Sequence, residues 1–172
     1  MSIYQMNCDC KSVRFYAEGS PVAKAYCHCA DCRDFYSTPV LAATAWSKSA
    51  LRVVSGDEFV SNYQHPHKQL SKFSCVKCGD TLFGTNRLGM NVIPNKQICR
   101  NSELAKEMMR PDFHLFYRQR VIDIKDTLTK YLDGRNGEVF SGWAACYLLE
   151  LVIKCRFTRR LLGRYFWIKF GV

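Results

Sequence analysis

Apolar and β-branched residues in this chain fall into short runs separated by turn-forming residues. The runs are Val13–Tyr16, Ala23–Cys27, Val40–Trp46, Leu51–Ser55, Phe59–Tyr63, Leu70–Phe73, Thr81–Phe83, Met90–Ile93, His114–Tyr117 and Val121–Ile124. Each is the length of a strand and too short for an ordinary helix. Gly19-Ser20-Pro21, Ser55-Gly56-Asp57 and His65-Pro66-His67 punctuate them as turns do. The pattern predicts an all-β body, mainly antiparallel and meandering. One short helix is expected at Ser102–Met109, with Ser102 as N-cap, Glu103 near the positive end of the helix dipole and Pro111 as the stop.

From about Arg135 the pattern changes, so the chain divides into a body, residues 1–134, and an extension, residues 135–172. Trp143–Ile153 is apolar and helix-compatible, but eleven residues interrupted by Glu150 fall short of the roughly twenty that span a bilayer. Lys154–Lys169 interleaves Arg with Leu, Phe, Tyr and Trp without a segregated polar face, which disfavours binding on a membrane surface. A helix packed on the body, or an appended segment without a selected role, fits that pattern better.

A length of 172 residues, 48% hydrophobic and 13% aromatic, excludes a disordered chain. The net charge of +10 points toward nucleic acid, but its distribution weakens that reading. Residues 1–134 hold 18 Lys+Arg against 13 Asp+Glu, and residues 135–172 hold 7 against 2. Half the excess therefore sits in the short tail, and Arg and aromatic residues in the body are too sparse for a nucleic-acid face.

Seven of the ten cysteines form three tight clusters, Cys8-x-Cys10, Cys27-x-Cys29-x-x-Cys32 and Cys75-x-x-Cys78, while Cys99, Cys146 and Cys155 stand alone. The start, MSIYQMNCDC, has neither a basic leader nor an apolar stretch of the secretory kind, so a reducing cytoplasmic or nuclear setting is expected. There, clustered cysteines read as metal ligands rather than disulfides. The clusters divide into four ligands plus three. Cys8, Cys10, Cys75 and Cys78 suit a closed Cys₄ zinc site, with Gly79 where the backbone bends back toward the metal. That zinc would pin the N-terminal strand to the strands around residues 70–84 and close a loop of more than sixty residues. By the chain-entropy estimate for crosslinks, such a closure is worth roughly 4 kcal/mol.

Cys27, Cys29 and Cys32 supply three thiolates, which leaves an open coordination position of the catalytic kind. Three thiolates make the metal less acidic and favour exchange of a soft sulfur ligand, and Arg33 offsets their charge. Alternatively, His28, His65, His67, His114 or Cys99 closes the site and makes it a second structural staple. Strand-like alternation aims His28 away from the metal. His65 and His67 fall in a loop, and His114 begins a strand, where it either packs or faces the cleft.

The segments CDCKSVRF, YCHCADCR, KFSCVKCGDTLF, NRLGMNVIPN and PDFHLFYRQRVIDIKDTLTKYLDG, in this order, resemble the glutathione-dependent formaldehyde-activating enzyme family, which also includes centromere protein V. The likeness covers residues 1 to about 134. It implies a β-tent fold of coiled antiparallel sheets, a structural zinc on Cys8, Cys10, Cys75 and Cys78, and a more exchangeable zinc on Cys27, Cys29 and Cys32, two Zn²⁺ per chain. It implies a carbon–sulfur lyase that joins glutathione to formaldehyde as S-hydroxymethylglutathione, with a small thiol as partner. Three departures stand out: Lys11 where a glycine commonly follows the first C-x-C, Thr129 for a common proline, and an extension with no family counterpart. The rival expectation is a binding module in which both zincs are structural and the basic surface docks on an acidic partner such as chromatin.

Overall fold

The computed structural model describes residues 2–100 and 103–142, without the side chains of residues 103, 104 and 108. Among the described residues eleven strands form. They are β1 (Ile3–Asn7), β2 (Arg14–Glu18), β3 (Ala23–Cys27), β4 (Leu41–Trp46), β5 (Leu51–Ser55), β6 (Val60–Gln64), β7 (Ser71–Cys75), β8 (Thr81–Thr85), β9 (Asn91–Pro94), β10 (Phe113–Leu115) and β11 (Thr129–Lys130). Three short helices interrupt them: α1 (Ala30–Tyr36), α2 (Asn95–Cys99) and α3 (Glu103–Met108).

The strands make two sheets, one ordered β1-β2-β5 and one ordered β11-β10-β3-β4-β9-β8-β7-β6. The class is the expected one, mainly antiparallel β with short helices. In β2 the period-two pattern is clean: Phe15 and Ala17 point into the core while Arg14 stays exposed. Phe15 packs near Phe83, and Met6, Trp46, Leu82 and Ile93 complete the centre of a core that also contains Cys8 and Cys75. Trp46 is buried because Thr44 Oγ1 accepts its indole N–H at 2.7 Å.

Four features differ from the pattern-based expectation. Val121–Ile124 forms no strand; Val121 and Ile122 are 58% and 41% exposed. Its Asp123 is engaged instead by the Tyr117 hydroxyl and the Arg120 guanidinium, which ties the segment into a loop. The meander also fails at β10, which runs parallel to both β3 and β11. β10 ends at Leu115 rather than Tyr117, because Phe116 turns the chain with φ 56° into a 3-10 turn at Tyr117–Gln119. Helices α1 and α2 add to the single helix expected. That helix is α3; its proposed cap, Ser102, lies outside the described residues.

Met1–Glu138 groups as one compact unit and Val139–Val172 as another. Of the second, only residues 139–142 are described, so Trp143–Ile153 and the basic stretch after it lie outside the described residues. Among the described residues no helix is long and apolar enough to cross a membrane.

Candidate metal centres

Two reversals of the chain build the four-thiol group. After β1, the Lys11 N–H closes a turn on the Cys8 carbonyl at 2.9 Å, and the Val13 N–H donates to Cys8 Sγ at 3.2 Å. Lys11 takes φ 59°, the left-handed region that a glycine enters freely, which accounts for the glycine expected there. After β7, the Gly79 N–H returns to the Cys75 carbonyl at 2.8 Å with φ 72° at Gly79. The sulfurs of Cys8, Cys10, Cys75 and Cys78 lie within 4.8 Å of one another, with Cys8–Cys10 at 3.5 Å and Cys10–Cys75 at 3.8 Å. A tetrahedral zinc with Zn–S near 2.3 Å separates its sulfurs by about 3.8 Å, so the donor set fits that ion. Burial pushes the Cys8 thiol up to about 12, whereas hydrogen bonding with Ser12 holds Cys10 down at about 6. Four thiols gathered this tightly can all ionise only with a cation among them.

A carboxylate braces these two turns. Asp80, its side chain 1% exposed, accepts from the Asp9 N–H at 3.3 Å, Lys96 Nζ at 2.8 Å, Gln97 Nε2 at 2.8 Å and Arg100 at 2.9 Å. Burial raises its carboxyl, but the donors from Lys96, Gln97 and Arg100 outweigh that and leave it at about 2. Arg100 also pairs with Asp9 at 2.8 Å. Through Asp80, α2 is fastened to both cysteine turns.

The three-thiol group forms at a strand-to-helix junction. Cys27 ends β3, paired with Leu41 of β4 and Leu115 of β10. Cys29 is the N-cap of α1, extended at φ −62° and ψ 144°, and its Sγ accepts the Cys32 N–H at 3.3 Å. Helix α1 then ends at Ser37, left-handed at φ 50°. The sulfurs of Cys27, Cys29 and Cys32 lie within 4.8 Å of one another, Cys27–Cys29 at 3.3 Å. Hydrogen bonds from Cys27 and Cys32, with the nearby Arg33 charge, hold Cys29 down. Cys27 and Cys32 are pushed up, mainly by their hydrogen bonding within the trio.

Each histidine considered as a further ligand is placed. His28 aims away from the thiols, its Nε2 2.9 Å from His114 Nδ1, and both rings are fully buried. His65 and His67 lie in the loop between β6 and β7, where His65 approaches the Phe35 ring at 6.3 Å. Cys99 belongs to neither thiol group, and Cys146 and Cys155 lie outside the described residues. Among the described residues, the trio gathers no fourth Cys, His, Asp or Glu.

Three supporting residues were not singled out from sequence: Asp80, Asp126 and Tyr36. The signal for Asp80 was present, since it directly follows the Cys75-x-x-Cys78-Gly79 turn. Tyr36 stands one helical turn after Cys32; its hydroxyl lies against Gly84, where a Cβ would collide with it. Burial, with the neighbouring sulfurs of Cys32 and Cys27, pushes that hydroxyl up, so it keeps its proton. Around α1, Arg33 Nε donates to the His28 carbonyl at 3.1 Å, Lys68 pairs with Asp31, and Lys72 Nζ donates to the Phe35 carbonyl at 3.0 Å.

The model of the glutathione-dependent formaldehyde-activating enzyme family matches residues 3–119, more than half the chain and both cysteine groups. The chain belongs to that family. The match to the formaldehyde-activating enzymes begins with β1 and stops in the 3-10 turn, short of Asp126. A crystal structure of a Rhodobacter sphaeroides protein is similar at 22% identity and a TM-score of 0.46, over 62% of this chain and 97% of that one. No curated protein matches this member of the formaldehyde-activating family.

Proposed function

We propose that this chain is a zinc-dependent carbon–sulfur lyase acting on a small thiol adduct, of the glutathione plus formaldehyde type. Cys8, Cys10, Cys75 and Cys78 hold a structural zinc; Cys27, Cys29 and Cys32 hold a second. The observation that carries the reading is the unequal donor count, four convergent thiols in one group and three in the other. A zinc held by those three thiols would supply a soft Lewis-acid position suited to a sulfur ligand.

In the synthetic direction, the thiol sulfur forms a bond to the aldehyde carbon, the C=O π bond opens and the thiol proton ends on the new hydroxyl. The chain's residues bring the reactants together and thereby lower the entropic barrier of their encounter. Arg33 offsets the charge of the trio. The free thiols of the described cysteines fit a reducing, cytoplasmic compartment.

Calorimetry with glutathione on the zinc-loaded chain, beside a Cys29→Ser variant, tests the proposal. Binding by the parent that the variant lacks supports it, and no thiol binding by either removes it. A DNA-binding isotherm whose affinity falls steeply with salt would favour the rival docking function.

A further inference from the structure

One buried polar chain takes no part in the chemistry above. It runs from His28, between Cys27 and Cys29, through His114 on β10 to Asp126. His28 Nε2 lies 2.9 Å from His114 Nδ1, and His114 Nε2 lies 2.9 Å from one Asp126 oxygen and 3.2 Å from the other. The two imidazoles meet edge to edge, centroids 5.2 Å and planes 27° apart, as an in-plane hydrogen bond requires; Tyr26 stacks on His114 at 5.0 Å, and the Tyr117 ring meets His28 edge-on at 4.9 Å. Asp126, its side chain 27% exposed, is fixed in turn by Lys130 and by the Leu128 N–H.

The direction of this chain is dictated at its acidic end. A carboxylate only accepts, so Asp126 places the His114 proton on Nε2. In a neutral His114 ring, Nδ1 is then a bare acceptor, and His28 donates to it from its own Nε2. His28 Nδ1 is left as a lone pair, consistent with a buried atom that has no partner. The backbone of His28 is held as well: its N–H donates to the Leu115 carbonyl at 3.0 Å and its carbonyl accepts from Arg33. With ring, N–H and carbonyl all fixed, the peptide planes from which the Cys27 and Cys29 side chains depart have one orientation.

We propose that His114 and Asp126 are positioning residues for the Cys27, Cys29 and Cys32 group, locking His28 in a single tautomer and orientation and thereby setting the thiols on either side of it. The inference rests on the metal-binding role proposed for that group. Groups hydrogen-bonded directly to a metal ligand usually matter by about 10- to 100-fold in affinity; His114 and Asp126 act through His28, which is itself no ligand, so the low end of that range applies.

The test loads the full chain with cobalt(II) and reads the thiolate-to-cobalt absorption and the chelator resistance of each site, for the parent, Asp126→Asn, Asp126→Glu and His114→Phe. The expected result is a loss of about 10-fold or more at the three-thiol site in Asp126→Asn and His114→Phe, partial recovery in Asp126→Glu, and a four-thiol site unchanged within threefold. Long-range proton–nitrogen spectra of histidine-labelled, metal-free parent should show His28 and His114 both protonated on Nε2. A three-thiol site indifferent to all the substitutions, parallel weakening of both sites, or a His28 proton on Nδ1 overturns the inference. A parent that binds only one cobalt would instead overturn the metal reading, and the tautomer spectrum would still decide the hydrogen-bond chain.

Discussion

Asp80→Ala is expected to destabilise the zinc-loaded chain by about 3 kcal/mol. Breaking a buried ion pair typically costs about 3–5 kcal/mol, because the partners are left desolvated without compensation. The partners here set the value at the low end. Lys96 is 54% exposed and rehydrates, and Arg100 keeps Asp9 at 2.8 Å. Gln97 Nε2 keeps the Thr81 carbonyl, but the Asp9 N–H loses its side-chain acceptor. Urea unfolding at constant metal loading measures the change through the midpoint, provided the slope is unaltered. Asp80→Asn, which preserves shape and one acceptor, should lose about half as much. Combining Asp80→Ala with Arg100→Ala should cost less than the sum of the separate losses, since the two residues share a contact at 2.9 Å. A loss below about 0.5 kcal/mol for Asp80→Ala, the range of an ordinary surface substitution, would refute the bracing role.

Four further outcomes follow from named contacts. Cys75→Ser, at a buried member of the four-thiol group, should lower zinc content from two equivalents to one and reduce the folded fraction, read by mass spectrometry and circular dichroism. Gly56→Ala should cost about 2 kcal/mol or more in urea unfolding, because φ is +78° and the added Cβ meets the Ser12 carbonyl. Thr44→Val should cost about 1–3 kcal/mol by removing the acceptor of the buried Trp46 indole N–H. Mild chelation should take zinc first from Cys27, Cys29 and Cys32 with the far-ultraviolet spectrum unchanged; simultaneous loss of both ions with unfolding would contradict the distinction between the sites.

Most strands were legible because each apolar run is bounded by residues that turn the chain, and burial then selects the inward face. What escaped depends on partners distant in sequence. Residues Phe113–Leu115 read as a strand, but nothing local shows that they pair in parallel with β3; that alignment sets His114 beside Tyr26 and Leu115 beside Cys27. Conversely, Val121–Ile124 looks like a strand by composition, yet its Asp123 and the nearby Asp126 are committed to Tyr117 and His114. Helix α1 was hidden because Phe35 and Tyr36 are β-favouring and its cap is a cysteine, a residue outside the usual capping set. The Cys29 sulfur that converges with Cys27 and Cys32 is also the helix cap, so the helix begins where the thiols meet.

That coincidence explains why the thiol arrangement was readable while its support was not. Two or three cysteines within one turn are forced to be near one another by chain geometry, so spacing alone reveals each half of a site. Asp80 and Asp126 act across tertiary contacts and carry no spacing of their own. The environments also separate the groups in a way that counting cannot. Cys8 and Cys75 are buried members of the core cluster, and their turns are fastened through Asp80 to α2, so an ion there is continuous with the packing that holds the fold. Cys27, Cys29 and Cys32 are only partly buried, at the point where β3 gives way to a seven-residue helix. An ion in that position would exchange a ligand without disturbing the core, as the proposed thiol capture requires, and the proposed positioning through His28 and His114 would hold its geometry.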